Sequence, residues 1–300
     1  MIWVLAGTSD SYHLICDLQE KINIINGIIK NKLALPSYSK GEFFDIGNYP
    51  QLTRANKFLD IKREKEIIVS VVSDYGKSRL SDTGLKVISK KLNKVEMVDF
   101  IKQNKIELII DATHPFASNV SENAIKVSKE LAIEYLRYER PELDLSHYPA
   151  KYLLTVYGYQ EAVEKAQEFE RIFLTIGSNN LNYFTAGISK WEQRLIARVL
   201  PDWKFIKKAR SIGFTPSNLL AIQGPFSFEL NKVLLKEFQA DVLVSKASGK
   251  AGGLDTKIKA AIDLKIPVII IRRPVLDYPI VFNGVEKLID YISSLYNLSI

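Results

Sequence analysis

The chain has 300 residues, 47% of them apolar, with 41 basic and 34 acidic side chains, a formal charge of +7 and a single cysteine. That length can bury large cores and favours two domains over one. Cys16 alone supports no disulfide framework or cysteine metal site, and His13, His114 and His147 lack ligand spacing, so no protein-bound metal is expected. No apolar run approaches the ~20 residues of a membrane span. The basic residues are spread out, without the aromatic-interleaved blocks of single-strand nucleic-acid binders, so neither membrane nor nucleic acid is expected as a partner. The charge suits a polyanionic small molecule, and equally an ordinary basic surface. No basic leader precedes the first apolar run, so the sequence predicts no signal peptide and a cytoplasmic protein.

Strand and helix signals alternate along the chain, which predicts an α/β fold of two Rossmann-like domains with parallel sheets flanking an interdomain cleft. Ile2–Ala6 reads as a strand and Ser9–Lys21 as a helix, on which Cys16 is a core residue. The segment from about 24 to 65 holds Pro36, Gly41, Gly47 and Pro50 and reads as an insertion in a crossover too long for its type. Glu66–Ser73 is rich in β-branched residues and reads as a strand. A short strand or connection over Gly84–Leu92, a helix over Glu96–Asn104, a strand over Leu108–Ala112, a helix over Asn119–Glu134 and a strand over Tyr135–Glu139 follow. The polar, proline-flanked stretch Pro141–Pro149 marks the boundary, giving domains 1–145 and 146–300. In the second half, strands are expected at Leu153–Val156, Arg171–Thr175, Leu195–Val199, Leu219–Gln223, Val242–Ser245 and Val268–Ile271. Helices are expected at Tyr159–Phe169, Phe228–Glu237 and Leu254–Leu264.

The chemistry sits where these strands end. The first strand runs through Gly7, Thr8 and Ser9 into a helix. Glycine lets a ligand approach the backbone, and the helix N-terminus favours phosphate. The full G-x-G-x-x-G fingerprint is missing, so a plain capped turn remains open. The second strand ends at Ser73, followed by Lys77 and Arg79, a set that suits a ribose 2′-phosphate. Asp74, one residue on, leaves NAD open. Asp111-Ala112-Thr113-His114-Pro115 ends a buried strand, where Thr113 and His114 either contact a ligand or tie down their loop. His114 is a candidate proton donor. Arg137 and Arg140 flank the boundary and either fork onto a ligand carboxylate or pair with Glu139 or Glu142. Three further strand ends carry glycines and hydroxyls: Gly177-Ser178-Asn179-Asn180, Gln223-Gly224-Pro225-Phe226-Ser227 and Lys246-Ala247-Ser248-Gly249.

These segments, in this order and with Ala197-Arg198-Val199-Leu200-Pro201 between them, resemble the precorrin-6A reductase / cobalt-precorrin-6A reductase family of cobalamin biosynthesis. The resemblance spans nearly the whole chain except the 24–65 region, which is longer than the family leads one to expect. It implies reduction of one double bond in a contracted tetrapyrrole macrocycle with NADPH as hydride donor. It further implies an NADPH-binding first domain using Gly7, Thr8, Ser9, Ser73, Thr113 and His114. The second domain would bind the anionic tetrapyrrole through Lys246, Ser248 and Gly249, with Arg198 and Lys257 near its carboxylates. Any cobalt would belong to the substrate. Without the resemblance, two other readings stay open: a nucleotide-dependent transferase or epimerase on another anionic metabolite, and a non-catalytic two-lobed binding protein.

Overall fold

A computed structural model of the chain describes residues 1–7, 9–33, 65–72 and 74–296. They form two units, Met1–Arg140 with Leu276–Ile300 and Pro141–Val275. No described helix is long and apolar enough to cross a membrane.

Unit 1 runs β1 (Ile2–Leu5), α1 (Ser9–Leu33), β2 (Ile67–Val71), α2 (Asp74–Ser78), β3 (Lys86–Ser89), α3 (Lys94–Asn104), β4 (Leu108–Asp111), α4 (Ser118–Leu131) and β5 (Glu134–Tyr138). Its strands are parallel, and β1, β2 and β4 are buried along their whole length. The unbroken apolar runs follow from helices covering both faces of the sheet. Alternate residues of β1 go opposite ways: Ile2 and Val4 pack with Leu14 and Leu18 of α1, Trp3 and Leu5 with Met97 and Ile101 of α3 and Ala124 of α4. The helix α3 starts where the Asn93 side chain accepts from the Glu96 amide and the Glu96 carboxylate accepts from the Asn93 amide, a closed capping box.

Unit 2 runs β6 (Leu153–Val156), α5 (Tyr159–Ala166), β7 (Ile172–Thr175), α6 (Leu181–Gly187), α7 (Trp191–Arg194), β8 (Leu195–Val199), α8 (Trp203–Ile212), β9 (Leu219–Ala221), α9 (Phe228–Glu237), β10 (Val242–Lys246), α10 (Leu254–Asp263) and β11 (Val268–Ile271). The chain then re-enters unit 1 as β12 (Val281–Phe282) and α11 (Val285–Leu295). The sheets have the orders β12-β5-β4-β1-β2-β3 and β6-β11-β10-β7-β8-β9.

Three expectations change. The second domain does not run to residue 300: β12 pairs with β5, and Leu288 and Ile292 of α11, with Tyr296 just after it, join the core of Ile2 and Val4. An unpaired β5 edge and an apolar helix face together draw the tail back. The boundary falls at 140/141 instead of 145/146. The first helix continues through Leu33, so the expected insertion begins as helix, and residues 34–64 lie outside the described residues. Its far end is held by Asn26, whose side chain donates to the Lys65 carbonyl (2.9 Å) and accepts from the Lys65 amide (2.7 Å).

Candidate active site

An open parallel sheet leaves a crevice where neighbouring strands send their following helices to opposite sides, and ligands bind there, beyond the carboxyl ends. In unit 1 that point lies between β1 and β4. The two loops it brings together are Ala6–Ser9 and Ala112–Ala117, both singled out by the sequence. Gly7 is exposed, and a Cβ built on it would meet nothing within 4 Å. Its amide donates to Ser11 Oγ at 3.2 Å. Ser9 opens α1. Thr8, and Ser73 beyond β2, lie outside the described residues.

The second loop is built on a buried charge. Asp111 is wholly inaccessible. Its Oδ1 accepts from the Thr113 amide (3.0 Å), the Thr113 hydroxyl (2.7 Å) and Arg137 Nη1 (2.8 Å), and its Oδ2 from the Tyr135 hydroxyl (2.6 Å). Arg137 is equally inaccessible, with its guanidinium 5.0 Å from the ring centroid of Tyr278 and its Nη2 without a hydrogen-bond partner. Burial and the neighbouring carboxylate drive the Tyr135 hydroxyl far above its usual range, so it stays a donor.

This geometry corrects two expectations. Arg137 is not a surface fork for a ligand; it neutralises Asp111 inside unit 1 and also pairs with Glu139 (Nε to Oε2, 3.5 Å), the alternative that the sequence left open. The Thr113 hydroxyl points its proton at Asp111 and accepts from Arg137 Nη1 (3.2 Å), so it ties the loop down and does not face a ligand. What the loop offers outward is its backbone and the half-buried His114. Nδ1 of His114 accepts from the Phe116 amide at 3.1 Å, so the neutral ring carries its proton on Nε2. Arg140 is half-buried and ends the first segment of unit 1.

In unit 2 the equivalent point lies between β7 and β10. The loops that leave these strands share a backbone conformation. Gly177 has φ 77°, ψ 175° and Gly249 φ 76°, ψ −177°, a region only glycine occupies without strain. A Cβ on Gly252 would lie 2.1 Å from Ser248 Oγ, so this loop closes on itself through a missing side chain. Around it stand three cations. Arg198 leaves β8 with Nη1 on Asn231 Oδ1 (3.3 Å) and its guanidinium 4.8 Å from the Phe226 ring. Lys246 ends β10. Lys257, on α10, is 6% exposed and donates to Ser245 Oγ at 3.3 Å. Desolvation lowers all three: Arg198 to about 10, Lys246 to about 8, and Lys257, with the added repulsion of Arg198 and Lys246, to about 7.

A cavity of about 770 Å³ elsewhere in unit 2, lined by Tyr148, Phe228, Asp255 and Lys259, is a poor alternative for a polyanion. Its acids are already engaged, Asp255 by the Tyr148 hydroxyl and Lys259, Asp263 by Lys232.

A family model described as Precorrin-6x reductase CbiJ/CobK matches residues 55–293. The chain belongs to the precorrin-6x reductase family. A cobalt-precorrin-6A reductase of Methanocaldococcus jannaschii is 37% identical over 230 residues, 76% of this chain and 89% of that protein. One from Salmonella typhimurium is 36% identical over 207 residues, 69% and 78%. A precorrin-6A reductase of Rhodococcus erythropolis is 33% identical over 182 residues, 60% and 68%. A solved structure described as CobK precorrin-6A reductase superposes with a TM-score of 0.67 over 98% of this chain and 96% of its own, at 20% identity, which speaks for the fold.

Membership makes the chain an oxidoreductase of cobalamin biosynthesis acting on a CH–CH bond of a corrin precursor, as the resemblance implied. Such chemistry calls for a nicotinamide cofactor. The unit 1 crevice fits one: the strand order is that of dinucleotide folds, α1 opens at the tip of β1, and Gly7 leaves the backbone open to a phosphate. Three residues around the candidate site carried no role in the sequence reading. Asp111 organises the Thr113 loop, Asn231 orients Arg198, and Ser245 accepts a hydrogen bond from Lys257. Only Asp111 had a signal, a carboxylate ending an apolar strand.

Proposed function

We propose that the chain reduces cobalt-precorrin-6A to its 6B dihydro form in the cytoplasm, with NADPH bound by unit 1 and the tetrapyrrole by unit 2. The observation that carries this is the pairing of two chemically different strand-end sites: a glycine-opened dinucleotide crevice in unit 1 and a cluster of three cations, Arg198, Lys246 and Lys257, in unit 2. The cobalt-bearing substrate is favoured because the relatives named for it are 35–37% identical, against 32–33% for those named for the metal-free form.

Gly7, Thr8 and Ser9 would hold the pyrophosphate at the start of α1, with the Thr113–His114 backbone alongside. Ser73, with the exposed Lys77 and Arg79 after it, would take the 2′-phosphate, which is what favours NADPH over NADH. When bound, the nicotinamide supplies the hydride. The rest falls to side chains. Arg198, Lys246 and Lys257, with the Ser248–Gly249 loop, would hold substrate carboxylates and stabilise negative charge arriving on the macrocycle. Arg140 would add a further carboxylate contact, and His114 Nε2–H is the proton donor in unit 1.

The test is tryptophan fluorescence titration with NADPH and NADH, followed by turnover of cobalt-precorrin-6A read as loss of nicotinamide absorbance. NADPH-preferring binding, abolished in Gly7→Asp, with turnover, is the expected result. A folded protein that binds neither nucleotide, with or without the tetrapyrrole, contradicts the reading.

A further inference from the structure

We propose that Tyr12 sets the preference of unit 1 for a 2′-phosphorylated nucleotide, by holding the Arg79 guanidinium on its ring at the carboxyl edge of the sheet. This rests on the function proposed above, which brings NADPH to unit 1 with Arg79 near its 2′-phosphate; what it adds is the residue that positions Arg79.

The two side chains come from neighbouring strand ends. β1 and β2 are adjacent and parallel. Tyr12 lies in the first turn of α1, which follows β1, and Arg79 directly follows α2, which follows β2. The Arg79 guanidinium stands 4.9 Å from the Tyr12 ring centroid. The ring is half-buried and packs against the core of Ile2, Val4 and Leu14, so it is a fixed surface. Arg79 is exposed, but its backbone is tied down: Leu80 beside it is buried in the same core. The Thr83 hydroxyl donates to the Leu80 carbonyl (2.7 Å), and Gln19 Nε2 of α1 donates to the Thr83 carbonyl (2.7 Å). One helix thus holds both the ring and the turn that carries the arginine.

An exposed arginine ordinarily samples many rotamers, and a ligand must meet the cost of ordering it. A guanidinium laid on an aromatic ring is ordered before the ligand arrives. Stacking uses its face and leaves its in-plane N–H groups to phosphate oxygens. Charge alone does not define this turn, because Asp82 also lies close enough to act on Tyr12. Directed N–H groups do. They reward a phosphate dianion far more than the free 2′-hydroxyl of NADH.

The experiment is tryptophan fluorescence titration of the full chain with NADPH and with NADH. It compares wild type, Tyr12→Leu, Tyr12→Phe, Arg79→Met and Arg79→Lys. Wild type should bind NADPH more tightly than NADH. Arg79→Met should weaken NADPH about tenfold or more, the value of one charge-assisted contact, and leave NADH nearly unchanged. Tyr12→Leu should weaken NADPH about two- to fivefold, the value of an exposed cation–π contact, again sparing NADH. Tyr12→Phe keeps an aromatic face and should keep the wild-type ratio. Added to Arg79→Met, Tyr12→Leu should cost nothing more. Arg79→Lys reads the same contact from an exposed position that leaves the core intact, should Tyr12→Leu not fold. It keeps the charge without the planar fork and should lose at least the same factor. A Tyr12→Leu variant that weakens both nucleotides alike, or neither, overturns the assignment. So does Tyr12→Phe behaving like Tyr12→Leu, or Arg79→Lys keeping the full preference. If Arg79→Met abolishes the preference and Tyr12→Leu retains it, the NADPH site stands and the role of Tyr12 alone falls. A wild type that binds neither nucleotide, or does not prefer NADPH, overturns the cofactor assignment and this inference with it.

Discussion

An amide in place of the Asp111 carboxylate leaves the inaccessible Arg137 guanidinium only the more distant Glu139 carboxylate (3.5 Å) as counter-charge, and presents one N–H to donors that need an acceptor. Breaking a buried pair from one side costs about 3–5 kcal/mol. Asp111→Asn is expected to lower unfolding free energy by that order, measured by urea denaturation, and to weaken NADPH binding through the loosened Thr113 loop. Lys257 argues in the opposite direction. Burial first, then Arg198 and Lys246, bring its pKa from 10.5 to about 7, and burial brings Lys246 to about 8. The unfolded chain therefore binds more protons than the native one between pH 7 and about 10.5, so stability rises with pH across that window. The melting temperature of wild type should climb from pH 7 to 9, and the climb should shrink in Lys257→Met. A flat difference between the two would contradict the assigned burial. The DATHP segment was visible in the sequence, but the role of its residues was not. Asp111 and Arg137 face each other in the register of β4 and β5, 26 positions apart, and a motif read locally cannot see its partner across a strand.

At the scale of elements, apolar runs bounded by glycine or polar turns located the central strands to within a residue or two, because burial on both faces demands such runs. The helix α8 was missed although Phe205, Ile206, Ala209 and Ile212 recur at helical spacing and Asp202 caps its start. The glycine-bearing loops were legible as loops, but not their matching conformation. Gly177 and Gly249 each turn the chain out of a central strand through the same positive-φ, extended-ψ geometry. Gly249→Ala is expected to cost about 1–3 kcal/mol in unfolding free energy. Since that loop carries Ser248 beside Lys246, the KM for the tetrapyrrole should rise while the binding of NADPH, proposed for unit 1, stays unchanged. A variant with weakened NADPH binding and an unaltered tetrapyrrole KM would reverse the assignment of the two units.

At the scale of the molecule, the chain closes unit 1 with its last residues. Composition and alternation predicted two α/β halves, and a boundary near Pro141 was marked by its prolines, but the return of 276–300 leaves no local trace. The helical spacing of Val285, Leu288 and Ile292 says that a face is buried, not against which sheet. The structure places it on the side of β1 that carries Ile2 and Val4, in one core with Leu14 of α1 and with Tyr296 buried at its end. β12 covers the β5 edge, where the Arg137 amide donates to the Ile280 carbonyl (2.8 Å) and the Glu139 amide to the Phe282 carbonyl (2.9 Å). A chain ending at Val275 would lose these bonds, bare an edge strand and expose Leu288's packing partners. Burial of each large apolar side chain is worth about 1.5–3 kcal/mol, so losing Leu288, Ile292 and Tyr296 alone matches the ~5–15 kcal/mol that holds a typical domain folded. The truncated protein is expected to lose NADPH binding and to accumulate as aggregate through the bared β5 edge. Soluble yield and nucleotide titration measure both. A soluble 1–275 chain that binds NADPH as the whole protein does would show that unit 1 is complete without its C-terminal strand and helix.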